Sequence, residues 1–158
     1  MTDNYIGIMI ESLRRKKDVL TDILKLSEEQ SLLLDDPNLE PDTFEKNVNW
    51  KAALIEKLEQ LDTGFESLYD KVKEELESNR DIHKEQIRQM QELIRALTEL
   101  NMQIQATEAR NKEKATAKFA YIRQQAKEIR SSQKIVKEYY NNMMHKAYNE
   151  PHFLDNKK

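Results

Sequence analysis

From Asp81 to Asn149 the chain has neither glycine nor proline, and apolar residues recur there at steps of three and four. The stripe runs Ile87, Met90, Ile94, Leu97, Ile104, then after a polar interval Ala115, Phe119, Ile122, Ala126, Ile129, Val136, Tyr140 and Met143. Steps of three and four keep side chains on one face of an α-helix, so the spacing predicts a single helix over 81–148. At 1.5 Å per residue such a rod is about 100 Å long, far longer than the helices upstream of it can cover. The excess apolar face must therefore fold back on its own chain, pair with a second copy, or be kept for a partner.

Two shorter helices precede it. Over about residues 3–35, Ile6, Leu13, Leu20 and Leu34 share one heptad position, but Lys16, Lys17 and Ser27 interrupt the pattern, so this helix reads as less committed to a deep core. Residues 36–42 hold two of the chain's three prolines and form a loop. Asp42 followed by Glu45 predicts an N-cap and capping box for the next helix. That helix, about 43–76, carries Leu54, Leu58, Leu61, Phe65, Leu68 and Val72, with Ile55, Tyr69 and Leu76 widening the stripe. Gly64 inside it costs about 1 kcal/mol relative to alanine, which predicts a closely approaching backbone or a kink. Residues 77–81 predict a turn, with Asn79 or Asp81 capping the third helix.

The expected architecture is all-α: an antiparallel three-helix bundle with a very long, coiled-coil-like C-terminal helix. Residues 1–148 form a single domain and 149–158 a flexible tail. A second helix of about 34 residues runs out near residue 115 of the third. The polar interval 105–114, with Glu108 and Asn111 on the stripe, thus reads as the bundle's end, beyond which the helix projects or bends back.

Composition excludes several function classes. With no cysteine, two glycines and three scattered histidines, there is no thiolate metal site, phosphate-cradling loop or H-E-x-x-H helix. The residues three before His83, His145 and His152 are Arg80, Asn142 and Asn149, so the Glu-x-x-His pattern of a di-iron bundle is missing. The histidines read as surface residues, and the chain as a non-enzyme without cofactor or metal. No apolar run reaches the roughly 18 residues of a membrane span, and no signal peptide is evident, so a cytoplasmic location is expected. Charge is uneven: residues 1–109 carry 14 Lys/Arg against 24 Asp/Glu, and residues 110–158 carry 12 against 5. The basic distal helix raises a nucleic-acid reading, but Glu113, Glu128 and Glu138 interrupt the cationic series, and phosphate tracking has no need of an ordered apolar stripe.

The remaining class is recognition of one helix by another. Phe119, Ile122, Ala126, Ile129, Val136, Tyr139, Tyr140 and Met143 present too much apolar area for a solitary helix in water. The bland alternative is a structural coiled coil whose distal helix serves only self-association. The order of features resembles the FlgN-like family of bacterial flagellar type III export chaperones. The resemblance is carried by Leu61-Asp62-Thr63-Gly64-Phe65-Glu66-Ser67-Leu68-Tyr69, Ile104-Gln105-Ala106-Thr107-Glu108-Ala109-Arg110-Asn111-Lys112, Tyr139-Tyr140 and Phe153-Leu154-Asp155-Asn156-Lys157-Lys158. It implies a cytosolic chaperone that holds hook-filament junction proteins through its C-terminal helical region, about residues 115–148. It also implies that they are kept from premature aggregation and passed to the export apparatus. A homodimer is a further expected partner state.

Overall fold

The computed structural model describes residues 2–125 and 130–147, and among these there are four helices and no strand. They are α1 (Thr2–Asp35), α2 (Pro41–Ser78), α3 (Lys84–Gln125) and α4 (Arg130–Ala147). The expectations for Ala126, Ile129 and the 149–158 tail lie outside the described residues.

Local chemistry sets the ends of the first three helices. At the first loop Asp36 closes a turn: its carboxylate accepts from the Asn38 N–H at 2.8 Å and its carbonyl from the Leu39 N–H. α2 then starts at Pro41, not at Thr43. Glu40 is the extended N-cap residue and makes no side-chain cap bond, so the expected capping box on Asp42 does not form. Proline at the first helical position explains the difference, since its fixed φ suits the helix and the missing N–H has no partner there anyway. Asn79 ends α2 rather than starting α3, with its N–H on the Glu75 carbonyl and its side-chain amide on the Glu75 carboxylate.

α1 is the central helix, which reverses the expectation of a shallow one. It packs closely against both α2 and α3 and buries Ile6, Met9, Ile10, Leu13, Val19, Leu20, Ile23 and Leu34 along its length. Two of the interruptions, Lys16 and Ser27, are themselves buried, while Lys17 faces solvent. Lys16 meets Asp62 at 2.7 Å, and Ser27 donates to Glu108. The pairs Lys16–Asp62 and Gln30–Asn47 fix α1 and α2 as antiparallel, while Ser27–Glu108 and Ser31–Lys114 fix α1 and α3 as parallel. Around α1 the core gathers Ile55, Phe65, Tyr69 and Val72 from α2 and Met90, Leu97 and Ile104 from α3.

Three further expectations are corrected. Gly64 lies on an exposed part of α2 with nothing within 4 Å of where a Cβ would stand, so a closely approaching backbone does not account for it. His83 is not a surface residue: it is 4% exposed, just ahead of α3, and its ring pairs with Glu75 at 2.9 Å. The helix predicted over 81–148 is two helices. The polar interval 105–114 stays helical within α3, and α4 returns antiparallel along its end. Lys112, Ala115, Thr116 and Phe119 line one depression together with Gln133, Val136, Lys137 and Tyr140. Burial gives the reason. A solitary rod leaves Val136, Tyr140 and Met143 in water, whereas the fold-back removes them at about 1.5–3 kcal/mol for each fully buried side chain.

Candidate functional site

α4 lies against α3 and α2 near the α1–α2 loop. Its spacing of three and four residues points Val136, Tyr139, Tyr140 and Met143 inward. Tyr140 and Met143 are fully buried; Val136 and Tyr139 are half-buried. Tyr140 joins a small apolar cluster with Leu34, Phe44 and Ala115, on which Phe119, Val136 and Leu39 also pack. Phe44 and Phe119 meet edge to face at 5.9 Å, and Tyr139 and Tyr140 at 5.4 Å. Phe119, Val136, Tyr139, Tyr140 and Met143 are thus brought together, with their apolar face turned onto the same chain. Ile122 is half-buried near the end of α3.

Beneath this seam lies a buried polar cluster drawn from four helices. Lys51 of α2 and Glu108 of α3 form an ion pair with side chains 0% and 1% exposed. Ser27 donates to the same Glu108 oxygen, and the Lys51 amine also reaches Gln30 Oε1 at 3.2 Å. The Gln30 amide is pinned from behind: its Nε2 donates to Asn47 Oδ1 at 3.0 Å, and Asn47 in turn donates to the Leu26 carbonyl at 2.9 Å. Asn111 Nδ2 donates to the Ser27 carbonyl at 2.8 Å and to Gln30 Oε1 at 3.3 Å. α4 closes the set, with the Tyr140 hydroxyl donating to Gln30 Oε1 and the Tyr139 ring 5.6 Å from the Lys51 amine.

The electrostatics follow from burial. Loss of water lowers the Lys51 pKa below the ordinary lysine value, with the Glu108 carboxylate opposing that shift. Burial, then the Glu108 charge, raises both tyrosine phenols, which keeps their hydroxyls as neutral donors. Among the described residues, Glu108 Oε2, Asn111 Oδ1 and the Tyr139 hydroxyl have no hydrogen-bond partner. A buried polar atom without a partner costs about 1–3 kcal/mol, so α4 covers this cluster without satisfying it fully.

Sequence reasoning found the α4 face but missed its seat. Ser27, Gln30, Asn47, Lys51, Glu108 and Asn111 each read as a break in a stripe or went unremarked. The available signal was that polar residues occupy inward positions on three helices at one height, counted from the first loop. Part of the basic series is also engaged internally. Lys114 pairs with Asp35 at 2.9 Å, and Lys118 donates to the carbonyls of Leu34 and Asp36 that end α1. No group of acidic or histidine side chains among the described residues is arranged to hold a metal. No described helix is long and apolar enough to cross a membrane.

No curated relative and no solved structure matches the chain significantly. The model of the family described as FlgN protein matches residues 1–145, which spans all four helices up to the last residues of α4. The chain therefore belongs to the FlgN family, the family of flagellar export chaperones.

Proposed function

We propose that the protein holds hook-filament junction proteins in the cytoplasm, prevents their premature aggregation and delivers them to the type III export apparatus. The client enters by displacing α4. The observation that carries this reading is that the apolar face of α4, while packing Tyr140 and Met143 on apolar side chains, also closes over a buried polar cluster. Two of its described side chains, Tyr140 and Met143, are fully buried, worth about 3–6 kcal/mol of apolar transfer. A client helix with a comparable face can match that. Once α4 leaves, Lys51, Glu108 and Gln30 regain water, which offsets part of the cost of opening. The freed inner face of α4 and the surface it vacates, including Phe119 and Ala115, are then both open to an amphipathic client segment.

The test is to lock α4 in place. Thr116→Cys and Gln133→Cys stand on opposite sides of the α3–α4 depression and can be bridged by a short bifunctional thiol reagent, since the chain has no other cysteine. Binding of a junction-protein C-terminal segment is expected to fall at least tenfold on cross-linking and to return with a cleavable bridge. Undiminished affinity in the locked chain would place the client elsewhere.

A further inference from the structure

We propose that the seat of α4 selects its occupant by hydrogen bonding: the partner is an amphipathic helix with apolar residues at i and i+7 and a side-chain donor at i+4. This deepens the reading above and rests on it, because it concerns the helix that takes the place of α4.

The seat is held in part by bonds that do not involve α4. Asn47 is anchored to the Leu26 carbonyl and holds the Gln30 amide by its nitrogen, so Gln30 Oε1 is turned toward the helix above. Lys51 and Asn111 converge on that oxygen at 3.2 and 3.3 Å, and the Tyr140 hydroxyl supplies its donor from α4. α4 itself displays the required pattern, with Val136 and Met143 flanking Tyr139 and Tyr140. Two more acceptors in the cluster, Glu108 Oε2 and Asn111 Oδ1, have no partner among the described residues even with α4 seated. The cluster therefore holds more acceptors than the described part of α4 supplies donors. A wholly apolar helix shuts these oxygens away from water and gives nothing back. A helix carrying a hydroxyl or amide at the level of Tyr140 satisfies at least one of them, and one whose second donor reaches Glu108 Oε2 or Asn111 Oδ1, which the unpartnered Tyr139 hydroxyl does not, outdoes α4. The seat thus discriminates among helices of equal hydrophobicity, which an apolar groove cannot do.

The experiment uses the full chain carrying Tyr140→Glu, which sets a second carboxylate beside Glu108 and unseats α4. Labelled peptides of residues 130–147 are titrated by fluorescence anisotropy, one with the native sequence and one with Tyr139→Phe and Tyr140→Phe. The native peptide is expected to bind about tenfold more tightly, the effect of one buried donor. Adding Gln30→Met, Asn111→Leu, Lys51→Met and Glu108→Leu to the chain removes the acceptors that face α4, makes the seat apolar and should bring the ratio to about one or invert it. Circular dichroism checks that each chain is folded, and Val136→Asp with Met143→Asp is a second way to unseat α4. Equal affinity for both peptides in the polar seat overturns the proposal and leaves the displacement reading standing. So does a preference that persists in the apolar seat. A folded, unseated chain that binds neither peptide overturns both readings, as does one that exchanges α4 with a second copy and takes up no peptide.

Discussion

Lys51 and Glu108 offer a decisive perturbation because their pairing is almost completely dry. Replacing one partner alone, Lys51→Met or Glu108→Leu, strands the other charge in the interior at a cost of about 3–5 kcal/mol. At roughly 2–4 °C per kcal/mol for a chain of this size, each single variant should lose about 6–20 °C in Tm. Replacing both removes the stranded charge. Pairs of this kind exchanged for apolar residues are often neutral or stabilising by about 1–4 kcal/mol, so the double variant should melt at or above the parent. The assay is thermal and urea unfolding of the parent, both singles and the double, read as a double-mutant cycle. Strong coupling, with the double far more stable than the two singles taken together, is the expected result. If the losses simply add, the two charges are not paired in a water-free interior, and the account of the seat fails with them.

Other outcomes follow from the same structure. Gly64→Ala should stabilise by about 1 kcal/mol in urea unfolding, because the position is helical, exposed and open around the missing Cβ; a loss would mean that the glycine is needed for a motion or contact not in this state. The His83 pKa is raised by its hydrogen bond to Glu75, and further by Gln86 and the charges of Glu75 and Asp3, against the opposing effect of burial. A raised folded-state value means that its stabilisation is complete below the unfolded value of about 6.5 and is lost as pH rises through the folded value. The unfolding midpoint should therefore fall across that window in the parent and stay flatter in His83→Gln. Tyr140→Phe removes the donor to Gln30 and should raise hydrogen exchange in residues 130–147 by about tenfold, with α1 and α2 little changed.

The helices were legible because apolar spacing follows directly from the geometry of a helix. Leu20, Val72 and Met90 needed only their own neighbours in sequence to be placed on an inward face. Two features were not legible, for different reasons. A polar residue on an apolar stripe has two meanings, an exit to solvent or a buried partner, and only the opposing helix distinguishes them. Glu108 and Asn111 read as the bundle's end because Lys51, Gln30 and Ser27 lie 57–84 residues away. The separation of α3 from α4 left no local mark either. Gln125, Ala126, Lys127, Glu128 and Ile129 include no breaker, so the reversal is a tertiary outcome: folding back buries Tyr140 and Met143, and no local propensity announces it. Phe119, Val136, Tyr139, Tyr140 and Met143 do share a face turned onto the chain, but their covering by the same chain was one of three alternatives that spacing alone could not separate.

The central place of α1 also bears on how the chain is made. α1 is synthesised before α2 and α3, yet one whole side of it waits for α3. Ser27 meets Glu108 across 81 residues, an interval of roughly 4–16 s at ribosomal rates of 5–20 residues per second. During that time the nascent α1–α2 hairpin shows water an uncovered flank and an unpaired Lys51. A molecule that shields others on their way out of the cell thus passes through a stage in which it needs shelter itself.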